Sequence, residues 1–288
     1  MPMEIDRKQL KRQAREAMLL TQPKFWFVTF VYLLMTTGLS TAANFSEGTL
    51  GLFLTFAITL YSWVVGFSYR LWALWTARRL DPGLGSLLEG FSVAGRVIVL
   101  ELSILVRTLG WTFLLSIPVG LLLVVTMTST LGYMVAIVLL TVAVSVIALR
   151  YSLSYYVLAD FPDAGPAVAL HHGTLLARGW VTELVKLYLS FAGWFILSAA
   201  LTLAGMAAGA LLTGSVTVAA LLDVGNITQL SAVLNAGLPS LLGTLFSLPV
   251  TLYLTPYLEV SLAQFYDARI HLPDNMAQPT VGTRMPPL

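Results

Sequence analysis

Six stretches of this chain are apolar over about 20 residues or more, and no other feature restricts its folding as strongly. A helix rises about 1.5 Å per residue, so such a stretch crosses a hydrocarbon layer about 30 Å thick. The stretches are 25–43, 50–72, 97–125, 133–156, 181–212 and 238–265. Only 10% of the 288 residues are charged and 57% are hydrophobic. A water-soluble domain carries about 25% charged residues, so too few remain here to coat a wet surface. The period-two alternation of a membrane barrel is absent, and an open sheet edge would leave backbone groups unsatisfied in lipid. The expected fold is all-α: a polytopic membrane helical bundle of about six transmembrane helices. Several stretches exceed the minimum length, so tilts, kinks or protruding ends are expected, with Pro118, Pro239, Pro249 and Pro256 as the marks.

Basic residues set the expected direction. Arg7, Lys8, Lys11, Arg12, Arg15 and Lys24 precede the first span, and Arg78, Arg79 and Arg96 lie between the second and third. Arg178 lies between the fourth and fifth, and Arg269 and Arg284 follow the sixth. The opposite loops, 44–48, 126–132 and 213–237, hold no Lys or Arg, only Glu47 and Asp223. Both termini are therefore expected in the cytoplasm, with the chain in the cytoplasmic membrane. The charged N-terminus reads as a surface segment before a retained first span, not as a cleaved secretory leader. Trp26, Trp72, Trp75, Trp180 and Tyr266 fall near the expected cytoplasmic ends, where amphipathic rings suit the headgroup level and also suit ordinary packing. Residues 1–270 are expected to form a single integral membrane domain. The proline-containing segment 271–288 reads as a disordered cytoplasmic tail.

Three short amphipathic cytoplasmic helices are expected. In 4–20, Ile5, Leu10, Ala14 and Met18 share a face, with the cations elsewhere; such a helix lies along anionic lipids. A second starts at Ser86, where Ser86-Leu87-Leu88-Glu89 reads as a capping box. A third follows Asp163 and Pro166, with Val168, Leu175 and Leu176 on one face beside His172. Each leads into a pair of spans, and the pairs end alike. Arg70 stands eight residues before Arg78, Arg150 ten before Asp160, and Glu259 eight before Asp267. This suggests a three-unit pseudo-repeat over 4–80, 86–160 and 163–267.

These segments carry a resemblance. Tyr156-Val157-Leu158-Ala159-Asp160-Phe161-Pro162-Asp163, Gly179-Trp180 and Leu189-Ser190-Phe191-Ala192-Gly193-Trp194 resemble a bacterial membrane family catalogued as domain of unknown function 975. Thr255-Pro256-Tyr257-Leu258-Glu259-Val260-Ser261 with Phe265-Tyr266, Leu87-Leu88-Glu89-Gly90-Phe91 and the helix from Leu10 to Leu20 are similar to it too. The family is multi-span and uncharacterised, and is distantly similar to the membrane domain of some glycerophosphodiester phosphodiesterases. The resemblance implies fold and location, not catalysis, since the phosphodiesterase catalytic domain is absent. His171-His172 and the long segment before the sixth span depart from the pattern.

Ionisable groups within spans are the functional candidates, since each costs about 2.5–3.5 kcal/mol to insert at the bilayer centre. Arg70, Glu101, Arg107, Arg150 and Glu259 could line a cavity for an ion, an anionic headgroup or a polar solute. Alternatively they pair between helices or reach the interface, except Arg107, whose spacing from Arg96 places it near the midplane. A surface site built from His171, His172 and His271 with Asp160, Asp163, Asp267 and Asp274 matches no established metal or hydrolase spacing. Adjacent histidines also diverge by about 100° on a helix. The absence of cysteine excludes disulfides and thiolate chemistry. No phosphate loop or nucleophile elbow occurs, so no catalytic, metal or cofactor residues are assigned. Gly205 and Gly209, four apart, favour close helix packing within the bundle. The basic N-terminal helix adjoins a span and suggests anionic lipid rather than nucleic acid. The reading is a non-enzymatic membrane protein that binds or transports a small polar or amphipathic molecule, a lipid or peptide among the candidates. Its alternatives are a structural or interaction protein (a transporter partner or a self-protection factor against membrane peptides) and, third, a phospholipid-headgroup enzyme.

Overall fold

Where apolar stretches are long and charge is scarce, backbone groups can be satisfied only within helices, and the chain folds accordingly. The computed structural model describes residues 6–40, 48–125, 130–214 and 237–271. Among them every regular element is helical, and the architecture is an all-α membrane bundle. In order, the helices are α1 (Arg7–Leu20), α2 (Phe25–Leu33, continued by a π-helical turn Leu34–Gly38), α3 (Gly48–Ala77) and α4 (Ser86–Glu89). There follow α5 (Ala94–Val125), α6 (Thr130–Leu149), α7 (Ser154–Asp160), α8 (Pro166–Ala177), α9 (Val181–Leu189), α10 (Ala192–Leu212) and α11 (Gly237–Ile270). Five helical runs in the described residues are long and apolar enough to cross a membrane. They become six if α1 and α2, which meet at 88°, count as one broken span. Glu4, Ile5, Asp274, Arg284, the tail beyond His271 and most of the three sparsely charged loops lie outside the described residues.

Burial is uneven along the spans. The fully buried large side chains include Phe67, Tyr69, Trp72, Leu74, Tyr156, Phe265 and Tyr266, from the C-terminal parts of α3 and α11 and from α7. Across the rest of the spans, Leu52, Phe53, Phe56, Phe113, Leu121, Val138, Ile196 and Leu245 stand exposed. An apolar surface of this extent needs lipid around it. The packed core thus sits at one end of the bundle, the end where the basic residues are. Trp72 and Tyr266 belong to that core; Trp26 alone of the five marked aromatic residues is strongly exposed, while Trp75 and Trp180 are half-buried.

Short helices close this end. α1 is capped by the Asp6 carboxylate, which accepts from the Lys8 amide at 2.9 Å. It buries Leu10, Ala14, Ala17 and Met18 against the bundle, so its apolar face docks on protein rather than lipid. α8 buries Ala169, Leu170, Gly173 and Ala177 in place of Val168, Leu175 and Leu176. At Gly173 the helix lies hard against α7, and a side chain there would strike Ser154. The capping box at Ser86 does not form. Ser86 lies inside the first turn, and its hydroxyl donates to the Gly83 carbonyl at 2.7 Å. α4 then runs through a 3₁₀ turn (Gly90–Val93) into α5.

The apolar stretch 181–212 is not one span. It breaks at Ser190–Phe191 into α9, which carries Glu183 and Lys186, and α10. Thirty-two residues would extend about 48 Å, far beyond the hydrocarbon thickness. Pro118, Pro249 and Pro256 do not break the helices that hold them: α5 and α11 run through them. α10 packs tightly on α11 through small residues. Gly205 faces the Leu242 carbonyl, Gly209 faces Pro239, and Gly243 faces Met206 and Thr202. We expect Gly205→Val to cost about 1–3 kcal/mol by overpacking. Thermal unfolding in detergent checks this; an unchanged transition would show that α10 and α11 do not approach through this face.

Candidate functional site

Six charged residues, Arg70, Glu101 and Glu259 with Arg78, Asp160 and Asp267, gather in two layers along the end of α3. Arg70 and Arg78 lie eight residues apart, about 12 Å along the helix. The outer layer begins with the way α3 ends. The Leu80 amide reaches back to the Trp75 carbonyl (2.9 Å) and the Arg79 amide to Thr76 (3.0 Å), while Arg79 takes φ 59°. This is a left-handed helix stop, a conformation that costs a non-glycine residue roughly 1–2 kcal/mol. The Gln264 amide donates to the Ala77 carbonyl at 2.8 Å and ties the stop to α11.

Arg78, at the stop, is then shared by two helices. Its Nη1 and Nη2 donate to the two Asp160 carboxylate oxygens of α7 at 2.6 and 2.7 Å. Its Nε and Nη2 donate to Asp267 of α11 at 3.1 and 2.7 Å. The Tyr266 hydroxyl donates to Asp160 at 3.0 Å. One planar guanidinium with a fixed fork of donors thereby joins α3, α7 and α11.

The inner layer repeats this composition. Arg70 lies 3.6 Å from Glu101 of α5 and 4.0 Å from Glu259 of α11. Its guanidinium lies over the Tyr155 ring, 3.8 Å from the centroid. Tyr155 donates to Glu101 and Tyr156 to Glu259, both at 2.9 Å. Tyr32 and Tyr188 lie within electrostatic reach of Glu259 and Arg70. The Tyr156 ring stacks on Tyr266 at 5.4 Å and connects the layers. Each layer holds one arginine and two carboxylates, an excess of one formal negative charge when all are ionised. The inner layer is also reachable: the side chains of Arg70, Glu101 and Glu259 are 28%, 14% and 20% exposed.

Span length fixes its depth. From Gly48 to Arg70, and from Gly237 to Glu259, each helix runs about 33 Å, the thickness of the hydrocarbon layer. A hydrocarbon layer that begins where these two helices begin would end at the inner layer, with the Arg78 layer about 12 Å beyond it. The tryptophan- and tyrosine-rich core lies between and around them.

Of the five sequence candidates, Arg70, Glu101 and Glu259 come together. Arg107 does not. It is exposed on α5 six residues beyond Glu101, about 9 Å inside the boundary, within reach of a side chain that extends back toward it. Arg150 is exposed in the turn after α6 and joins neither layer. Sequence reasoning overlooked Tyr155 and Tyr156 as partners and Arg78, Asp160 and Asp267 as one cluster. The available signal was the eight-residue spacing shared by Arg70–Arg78 and Glu259–Asp267.

The described acids near the histidines are committed elsewhere. Asp160 and Asp267 hold Arg78, and Asp163 pairs with Arg96 at 3.2 Å. His171 is exposed; burial, and then His171 beside it, hold His172 below the usual imidazole range. Among the described residues no three His, Asp or Glu side chains are grouped to hold a metal ion.

We expect Arg78→Met to cost about 2–3 kcal/mol, since it strips charge-assisted hydrogen bonds from two acids. Asp160→Asn should cost less in the Arg78→Met background than in the parent. Equal costs in a double-mutant cycle of detergent unfolding would show that the two side chains are not coupled.

No curated protein and no solved structure matches the chain. The resemblance to phosphodiesterase membrane domains rests on the sequence pattern alone. A family model, described as protein of unknown function (DUF975), matches residues 1–271. The polar layers, the glycine-packed α10–α11 pair and the tyrosines between them all fall within those residues, and the chain belongs to the DUF975 family.

Proposed function

We propose that this protein is a non-enzymatic component of the cytoplasmic membrane that binds or transports a small amphipathic molecule carrying positive charge. Its termini lie in the cytoplasm, on the side of the basic residues. The inner polar layer receives the charged group. The observation that carries the reading is the sharing of Arg70 between Glu101 and Glu259 in a partly open site. A second carboxylate beyond what Arg70 neutralises favours a cation, and low dielectric strengthens that attraction. Tyr155 and its neighbours offer ring faces to the same charge. An apolar body would extend toward the hydrocarbon between the spans. An anionic headgroup is disfavoured here because both carboxylates would repel it.

Contacts between the units support the three-unit organisation. α1 rests on α11, α4 on α3 and α8 on α7, so each leading segment covers the closing helix of the preceding unit, taken cyclically. Closing helices from all three units meet at Arg78. The same pairing of charges favours a second reading, a structural or interaction protein in which the layers only fasten helices together.

Tetraphenylphosphonium, a lipophilic organic cation, separates the two when its binding to protein in nanodiscs is followed by equilibrium dialysis. We expect saturable binding, weakened about tenfold or more by Glu101→Gln or Glu259→Gln, the loss of one charge-assisted contact. Arg107→Gln should leave it unchanged. Binding that is absent, or indifferent to both glutamines, would favour the structural reading.

A further inference from the structure

A second polar site lies on the opposite flank of α11, where α1 crosses it. Lys11 directs its ammonium onto Ser190, 3.2 Å from both the carbonyl and the hydroxyl oxygen, at the break between α9 and α10. The same nitrogen lies 4.2 Å from the Phe191 ring centroid and 5.7 Å from that of Tyr257. Arg15, one turn farther along α1, is exposed and within electrostatic reach of Tyr257. Neither cation has a carboxylate partner among the described residues. Glu16 pairs with Arg12 at 3.9 Å; Glu183 pairs with Arg7 and Lys186 at 3.6 and 2.6 Å. Glu259, two residues from Tyr257, is held by Arg70 and Tyr156. Burial holds the Lys11 ammonium below the ordinary lysine value, which reflects water already lost from it.

From this pair of cations a ladder of rings leads toward the lipid. Phe191 meets Tyr257 at 5.0 Å, Tyr257 meets Tyr253 at 5.6 Å, and Tyr253 meets Trp194 at 5.4 Å and Phe25 at 6.1 Å. Trp194 and Phe195 are exposed on the outer side. Tyr257 and Ser190 stand at the depth where the spans reach the hydrocarbon boundary, which is the depth of lipid phosphates. Two cations at that level without a carboxylate partner among the described residues, above an apolar aromatic track, match an anion with a long apolar tail.

We propose that Lys11 and Arg15 bind the phosphate of an anionic phospholipid, with its acyl chain laid along Tyr257, Tyr253 and Trp194. This site is distinct from the Arg70 layer in position and in sign. It also differs from diffuse attraction: Lys8 and Arg12 carry equal charge on the same helix, yet the ammonium seated over the described rings is that of Lys11, and Arg12 is paired with Glu16.

Native mass spectrometry of the full chain, released from nanodiscs of phosphatidylcholine with a minor share of phosphatidylglycerol, tests it. We expect one phosphatidylglycerol retained, its apparent affinity falling about thirtyfold in Lys11→Gln/Arg15→Gln, or about fivefold per cation. Lys8→Gln/Arg12→Gln should retain it. Arg15→Gln alone, at an exposed position, keeps the test valid if the double variant folds poorly, and should give the fivefold loss. Equal losses in the two double variants, or no selective retention in the parent, would overturn the proposal. Displacement of the lipid by millimolar inorganic phosphate would overturn it too, since the site would then hold a phosphate without its tail.

Discussion

The hydrogen bonds from Arg78 to Asp160 and Asp267 are the interaction on which the remaining geometry depends. They fasten the ends of α3, α7 and α11, and those ends supply most of the buried aromatic core. Arg78 reaches both acids because α3 stops in a left-handed turn at Arg79 and because Gln264 holds that stop against α11. Arginine suits the position better than lysine would: a single planar group satisfies two carboxylates in different directions. With these ends registered, Tyr156 falls onto Tyr266, and Arg70 falls between Glu101 and Glu259.

The chain thus divides by solvent. On one side of the Arg70 layer the helices are apolar around their circumference and lightly packed, as lipid permits; their close contacts come from small residues, as in α10 and α11. On the other side, short helices and helix ends enclose a dense core that resembles the interior of a soluble domain, with Trp72 and Leu74 fully buried. The charges gather at this junction because it is the depth at which ionised groups can be hydrated, paired or exposed without the full cost of the bilayer centre.

The bundle and most of its spans were legible because hydrophobic length is a direct physical requirement of the bilayer; the break of 181–212 at Ser190–Phe191 was not. Arg70, Glu101 and Glu259 were legible for the same reason, as costly residues in apolar runs. What they do to one another was not, since helix order around a bundle is set by tertiary contacts that no linear pattern records. Arg150 occupies the place in the second unit that Arg70 and Glu259 occupy in the others, yet Glu101 from α5 joins the layer and Arg150 stands outside it. Local chemistry misled in two places. Ser86-x-x-Glu89 has capping-box spacing, but the turn before it takes the serine hydroxyl. In α8 Val168, Leu175 and Leu176 lost the buried face to Ala169, Leu170, Gly173 and Ala177, since α7 approaches too closely at Gly173 for any side chain.

The central claim, that the Arg70 layer marks the edge of the hydrocarbon and the aromatic core lies beyond it, is open to a direct depth measurement. The chain contains no cysteine, so single cysteines can carry nitroxide labels without other changes. Labels at Leu52 and Leu245 should relax with oxygen, and labels at Arg79 and Arg178 with a water-soluble nickel chelate, with the crossover along α11 near Glu259. Oxygen-dominated relaxation at Arg79 and Arg178, equal to that at Leu245, would place the aromatic core inside the bilayer and contradict the account.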